Sequence, residues 1–161
     1  MQRRHFITTI LAAGSVAALS RPSMVNSASS AGQFEFTRTE AEWRAMLSDM
    51  EYSVMREEAT ERAGSSPLDK NYADGTYHCR GCDLALYPSD TKYDSRTGWP
   101  SFYKPLQNAI GTKEDRKLFS VRTECHCRRC GSHLGHIFDD GPAPTGKRHC
   151  LNGVSLKFAA A

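Results

Sequence analysis

Four of the six cysteines fall into two matching pairs, Cys79-Arg80-Gly81-Cys82 and Cys127-Arg128-Arg129-Cys130. A CxxC turn presents two thiolates from one tight backbone loop, and two such turns fill the four positions of a tetrahedral zinc ion with soft ligands. An all-sulfur shell leaves no open position for a substrate, so the expected metal is one structural Zn2+ per chain. Cys125 lies two residues before Cys127, but the equal spacing favours Cys127 with Cys130 as the second pair. Cys125 and Cys150 are left over. A three-disulfide scaffold is the competing reading for an exported chain, though two identical CxxC spacings have no reason to exist in one.

Cys150 directly follows Arg148 and His149. Neighbouring positive charge lowers a thiol pKa and raises the thiolate fraction, which a nucleophile requires. On spacing alone, a buried small hydrophobe accounts for the same cysteine. His133-Leu134-Gly135-His136 offers two imidazoles three residues apart, suited to acid–base work or to metal. Together with Cys150 they also allow a second, open zinc site, as in a hydrolase. A zinc-ribbon-like binding module without chemistry instead predicts that Cys150, His133 and His136 lie far apart.

The elements that must position these residues read as β-rich. Asp74-Gly75 signals a turn, and the stretches 76–78, 84–87, 118–123, 133–138 and 154–158 read as short strands. Gly98-Trp99-Pro100-Ser101-Phe102 is an aromatic loop. Before them, Thr39 and Glu42 have the spacing of a capping box, and Trp43, Met46, Leu47 and Met50 recur at helical spacing. A helix over 40–50 with that stripe in the core is expected, while 52–61 is ambiguous between helix and strand. The expected fold is mainly β: two small antiparallel sheets, a short N-terminal helical part and a four-cysteine zinc staple.

At 161 residues the chain has room for one compact domain. Its net charge of +3 comes entirely from Arg3, Arg4 and Arg21, leaving 18 basic against 18 acidic residues beyond position 31. Such a neutral domain has no electrostatic footprint for nucleic acid. Arg3-Arg4-His5-Phe6-Ile7 forms a twin-arginine pattern before a mild apolar run over 6–19. This reads as a signal segment over 1–31, with cleavage near Ala28 to Ala31 and a periplasmic, monomeric product over 32–161. A membrane anchor facing the periplasm is the alternative.

Three long motifs, in order, carry a family resemblance: 98–102, then 127–142, then Arg148-His149-Cys150-Leu151-Asn152 through Ser155-Leu156-Lys157-Phe158. With both knuckles, they resemble methionine sulfoxide reductase B over about 40–158. The resemblance implies reduction of the R epimer of methionine sulfoxide in peptides or oxidised proteins, each epimer having its own enzyme. It implies Cys150 as attacking thiolate, His133 and His136 as groups that position and protonate the sulfoxide oxygen, and Asn152 as a support for them. Arg148 would stabilise the thiolate, Asp140 would orient a histidine or Arg148, and Trp99 and Phe102 would form an apolar wall for the S-methyl group. The implied product is methionine plus a sulfenic acid on Cys150, recycled by an external, thioredoxin-like thiol reductant.

The chain departs from that family at three points. Many members carry a resolving cysteine just before Gly-Trp-Pro, where this chain has Thr97. Cys125 is then the one spare thiol that could resolve the sulfenic acid from within. His149 stands where tyrosine is usual and Gly153 where serine is usual. His149 either offers a further positive charge beside Cys150 or is simply exposed.

Overall fold

A computed structural model of the protein describes residues 34–117 and 120–161. The expected signal segment and residues 118–119 of one expected strand lie outside them. None of the described helices is long and apolar enough to cross a membrane.

The expected single helix over 40–50 is two. Helix α1 spans Glu40–Met46 and α2 spans Asp49–Glu57. Ser48 breaks the run because it heads its own capping box: its hydroxyl accepts from the Glu51 amide, and the Glu51 carboxylate reaches back to the Ser48 amide. The Thr39–Glu42 box caps α1 in the same way. The break turns the stripe, so Trp43 and Leu47 are buried while Met46 and Met50 face solvent.

Among the described residues nine strands follow: β1 (Gly75–Cys79), β2 (Ala85–Pro88), β3 (Lys92–Tyr93), β4 (Ser101–Phe102), β5 (Ile110–Asp115), β6 (Arg122–Cys127), β7 (His133–Phe138), β8 (Arg148–Leu151) and β9 (Leu156–Ala160). They form two antiparallel sheets, ordered β2-β1-β9 and β3-β4-β8-β7-β6-β5. Thus the expected fold class stands.

An aromatic cluster joins the sheets. Phe102 of β4 packs at 4.9 Å from the ring of Tyr77 on β1 and 4.6 Å from that of Tyr87 on β2. All three are fully buried, and each such side chain contributes about 1.5–3 kcal/mol of apolar burial. The helices cover the first knuckle. A Cβ on Gly81 would meet Met55 at 3.1 Å and Trp43 at 3.2 Å, so this CxxC turn has little room for a side chain. Arg56 lies over the Trp43 ring and donates to the carbonyl of Cys130 in the second knuckle.

Candidate active site and metal centre

One cross-strand row organises the larger sheet. Lys113, Glu124, His136, Cys150, Ser101 and Tyr93 stand directly opposite one another across β5, β6, β7, β8, β4 and β3. Directly opposed residues of antiparallel strands point to the same face. The thiol of Cys150 and the imidazole of His136 are therefore neighbours by register.

Strict alternation would send His133 and His136 to opposite faces, since three is an odd step. A bulge prevents this. Cys125 pairs with Gly135 but His126 pairs with His133, so β7 carries one extra residue. His133 thereby comes to the face of His136, with ring centroids 5.4 Å apart. The glycine between them is required, because a Cβ on Gly135 would sit 2.0 Å from the carbonyl oxygen of Cys150.

Each histidine has a carboxylate. His136 Nε2 is 2.8 Å from Asp115 Oδ2, which also receives Arg122 at 2.6 Å. Hydrogen bonds from the Lys117 amide and from His136 hold the Asp115 carboxyl well below its usual range. Burial pushes His136 down despite Asp115, favouring the neutral ring. His133 is almost fully buried, with Nδ1 3.1 Å from Glu124 Oε1 but off the line of a good hydrogen bond, and Nε2 unpartnered. Burial raises Glu124, but the close approach of His133 and of the Lys113 ammonium outweighs it, so this carboxyl stays below its ordinary value. Sequence spacing carried no signal for Asp115, Arg122 or Glu124.

Cys150 is half-buried, and burial pushes its thiol up, against weaker lowering by Thr97 and Arg148. Thr97 Oγ1 lies 3.9 Å from its sulfur and bonds to Ser95, which in turn bonds to Ser101. The lowered thiol expected from Arg148 and His149 is not what the packing produces. Arg148 is forked onto Asp140 by two 2.8 Å bonds and lies over the Phe138 ring at 4.3 Å. Asp140 therefore orients Arg148, not a histidine.

His149 points away, to the inner face, where its Nδ1 is 3.0 Å from the Tyr87 hydroxyl. Burial, aided by Lys147, lowers it from 6.5 to about 4, so it adds no charge at neutral pH. Because this folded-state value lies below the ordinary one, its stability contribution is complete above pH 6.5 and is lost as the pH falls toward 4. His149→Gln is expected to flatten the acid side of a stability–pH curve from chemical denaturation over that window. An unchanged slope contradicts a buried neutral His149.

A cleft of about 160 Å3 opens over the row. Its lining includes Cys150, His136, Trp99, Phe138, Thr60 and Asn152. Trp99 stands where the aromatic wall was expected. Phe102 does not: alternation turns it inward to the Tyr77–Tyr87 cluster, and Phe138 takes the wall position. Asn152 is tied down at both ends of its amide, accepting from Glu61 N at 3.0 Å and donating to Leu134 O at 3.2 Å.

Cys125 is not brought to Cys150. It is two strands away, about 10 Å by strand spacing, and shares its register row with Gly135 and Leu151 rather than His136 and Cys150. It is fully buried against the Tyr87 hydroxyl, and burial pushes its thiol up to about 12.

Cys79, Cys82, Cys127 and Cys130 converge, with all four sulfurs within 4.8 Å of one another. Their 3.6 and 3.5 Å approaches, Cys79 to Cys130 and Cys82 to Cys127, are close to the ~3.8 Å edge of a tetrahedron with Zn–S bonds of ~2.3 Å. Among the described residues no other His, Cys, Asp and Glu side chains converge in this way. All six cysteines are free thiols, which gives the disulfide scaffold no support. The four residues fit a tetrahedral thiophilic ion.

Fold and site together define a thiol-bearing β domain with a four-cysteine staple, and a family model described as the SelR domain matches residues 47–160. Similar chains include peptide methionine sulfoxide reductase MsrB of Methanosarcina barkeri, 50% identical over 75% of this chain and 86% of that protein. The MsrB of Methylibium petroleiphilum is 48% identical, over 75% and 88%. Chloroplastic peptide methionine sulfoxide reductase B1 of Arabidopsis thaliana is 41% identical, over 98% and 77%. The chain belongs to the MsrB family of peptide methionine sulfoxide reductases, which are oxidoreductases.

Proposed function

We propose that the protein reduces the R epimer of methionine sulfoxide, in peptides or oxidised proteins, with Cys150 as nucleophile. The observation that carries this reading is the pairing of Cys150 with His136 in a cleft walled by Trp99 and Phe138. A sulfoxide sulfur becomes electrophilic when its oxygen takes a proton, so a soft nucleophile and an acid must meet on one sulfur. Cys150 supplies the electron pair. His136, its Nε2–H held by Asp115, takes the Cys150 proton on its other nitrogen and passes it to the sulfoxide oxygen. His133, backed by Glu124, holds the second side of the acid pair. The S–O bond of the substrate breaks, methionine leaves, and the oxygen remains on Cys150 as a sulfenic acid.

Trp99 and Phe138 bracket the S-methyl group, which leaves one epimer with its oxygen toward the acid. Arg148, clamped by Asp140, holds Phe138 and favours the thiolate. Recycling falls to an external dithiol of the thioredoxin type. One thiol displaces water from the sulfenic acid, and the second releases Cys150 from the mixed disulfide. Thr97 beside Cys150 and Cys125 behind the sheet support that external route.

Zinc in the four-cysteine site holds the scaffold and takes no part in the redox cycle. The domain acts as a monomer in the periplasm, exported by the twin-arginine segment and repairing exported proteins, with membrane anchoring as the alternative. Export of a folded reporter by residues 1–31 should depend on Arg3 and Arg4. For the reaction itself, a peptide carrying each sulfoxide epimer is assayed with dithiothreitol. Turnover of the R epimer with little of the S epimer is the expected result; S-selective or absent turnover sinks the reading.

A further inference from the structure

Residues 58–66 connect α2 to the short 3-10 turn Pro67–Lys70 and have neither helix nor strand to hold them. Glu58 leaves the helix in the left-handed region at φ 60°. Yet this irregular segment supplies Thr60 to the cleft wall. It also carries both polar anchors of its neighbours. The indole N–H of Trp99 donates to the Glu61 carbonyl at 3.2 Å, and the Glu61 amide donates to Asn152 Oδ1 at 3.0 Å.

What fixes the segment is the Glu61 side chain. It is 3% exposed, which is costly for a carboxylate unless its oxygens are satisfied. Oε1 accepts from the Gly153 amide at 2.5 Å and Oε2 from the Val154 amide at 3.1 Å. These are the amides just after Asn152, so one residue closes a ring. Its carboxylate grips the chain beyond Asn152, its N–H holds the Asn152 side chain, and its carbonyl holds Trp99. Space is tight around the ring: a Cβ on Gly153 would meet Ser66 Oγ at 1.9 Å and Glu61 Oε1 at 3.3 Å. This chain has glycine there, and the carboxylate has the room it needs.

We propose that Glu61 is a positioning residue for substrate recognition. Its carboxylate locks segment 60–61 in place, and that segment fixes the Trp99 face and the Thr60 and Asn152 edges against which the sulfoxide side chain is held. This inference rests on the sulfoxide-reductase reading above. Glu61 contacts neither Cys150 nor the histidines among its hydrogen-bond partners, so its loss affects binding and epimer choice before it affects thiol chemistry.

The test compares full-length wild type, Glu61→Ala and Glu61→Gln, with both sulfoxide epimers of a peptide and dithiothreitol. Glu61→Ala should raise KM about tenfold and lower the R-to-S ratio, with the Cys150 alkylation rate unchanged. Glu61→Gln keeps one acceptor for two amides and should fall between. A KM and an epimer ratio equal to wild type overturn the proposal, even where thermal stability drops. Should Glu61→Ala not fold, as read by circular dichroism and bound zinc, the same criteria apply to Glu61→Gln alone. Acrylamide quenching of indole fluorescence gives an arm independent of turnover. Trp43 is 3% exposed and shielded, so quenching reports Trp99. Wild type unable to reduce the R epimer refutes the enzymatic reading; increased quenching in the variants then still upholds the ring, and unchanged quenching refutes it.

Discussion

Cys150→Ser is expected to abolish R-sulfoxide reduction, by at least about 10³-fold, while leaving zinc content and circular dichroism at wild-type values. Oxygen for sulfur removes the polarisable nucleophile and changes little else. Residue 150 pairs through its backbone with β4 and β7, and those bonds do not depend on the side chain. The resting thiol adds a second expectation. Burial raises its pKa above the ordinary value of 9.0, so alkylation of free enzyme by iodoacetamide should rise with pH through a midpoint above that value. A protonated resting thiol is a poor target for stray oxidants. After one turnover without reductant, dimedone should label Cys150 alone, with Cys125 recovered as a free thiol. Retained activity in Cys150→Ser refutes Cys150 as nucleophile. A Cys125–Cys150 disulfide in peptide maps would show that the sheet opens around β7 during the cycle and brings β6 to β8.

The metal knuckles were legible because their chemistry is written in spacing, whereas Cys150 stood out only through the family resemblance of the motifs around it. The two CxxC turns place four ligands whatever surrounds them. The histidine pair was legible only as a motif. Read on a regular strand, His133 and His136 fall on opposite faces, and the bulge that unites them depends on pairing with β6. The same two-residue alternation explains Phe102. Ser101 lies in the row with Cys150, so its neighbour Phe102 must turn inward, which Gly-Trp-Pro-Ser-Phe alone does not reveal. His149 follows Arg148 and precedes Cys150 in sequence, yet alternation turns it to the opposite face of the sheet, and being the one spare thiol says nothing of which row Cys125 occupies. Conversely, Asp115, Glu124 and Glu61 are acidic residues with ordinary local context, and only tertiary pairing gives them roles. The helix break at Ser48 was available in principle, since Ser48 and Glu51 repeat the capping-box spacing of Thr39 and Glu42.

Cys127→Ala is expected to leave most of the chain unfolded, where Cys125→Ala leaves it folded with its zinc. The two cysteines differ in what they hold. Cys79 ends β1 in the three-stranded sheet, and Cys127 ends β6 in the six-stranded sheet. A metal on both knuckles therefore bolts one sheet to the other at the end where α2 and Trp43 pack. Structural zinc contributes about 10–16 kcal/mol of apparent binding energy in small zinc domains, against a total stability of about 5–15 kcal/mol for a typical domain. The Tyr77–Tyr87–Phe102 cluster offsets only part of the loss. Without one ligand, three sulfurs, two of them buried, remain crowded within 4.8 Å, and ionising them without the ion costs further repulsion. Cys125 lies outside the four-sulfur cluster; its loss removes a weak 4.0 Å contact with Tyr87 and opens a small gap. Metal content, circular dichroism and thermal melts separate the cases. One zinc per wild-type chain, near zero in Cys127→Ala with loss of a cooperative melt, and one in Cys125→Ala is the expected set. A Cys127→Ala protein that melts like wild type would show that the aromatic cluster alone joins the sheets, and that the staple is dispensable for folding.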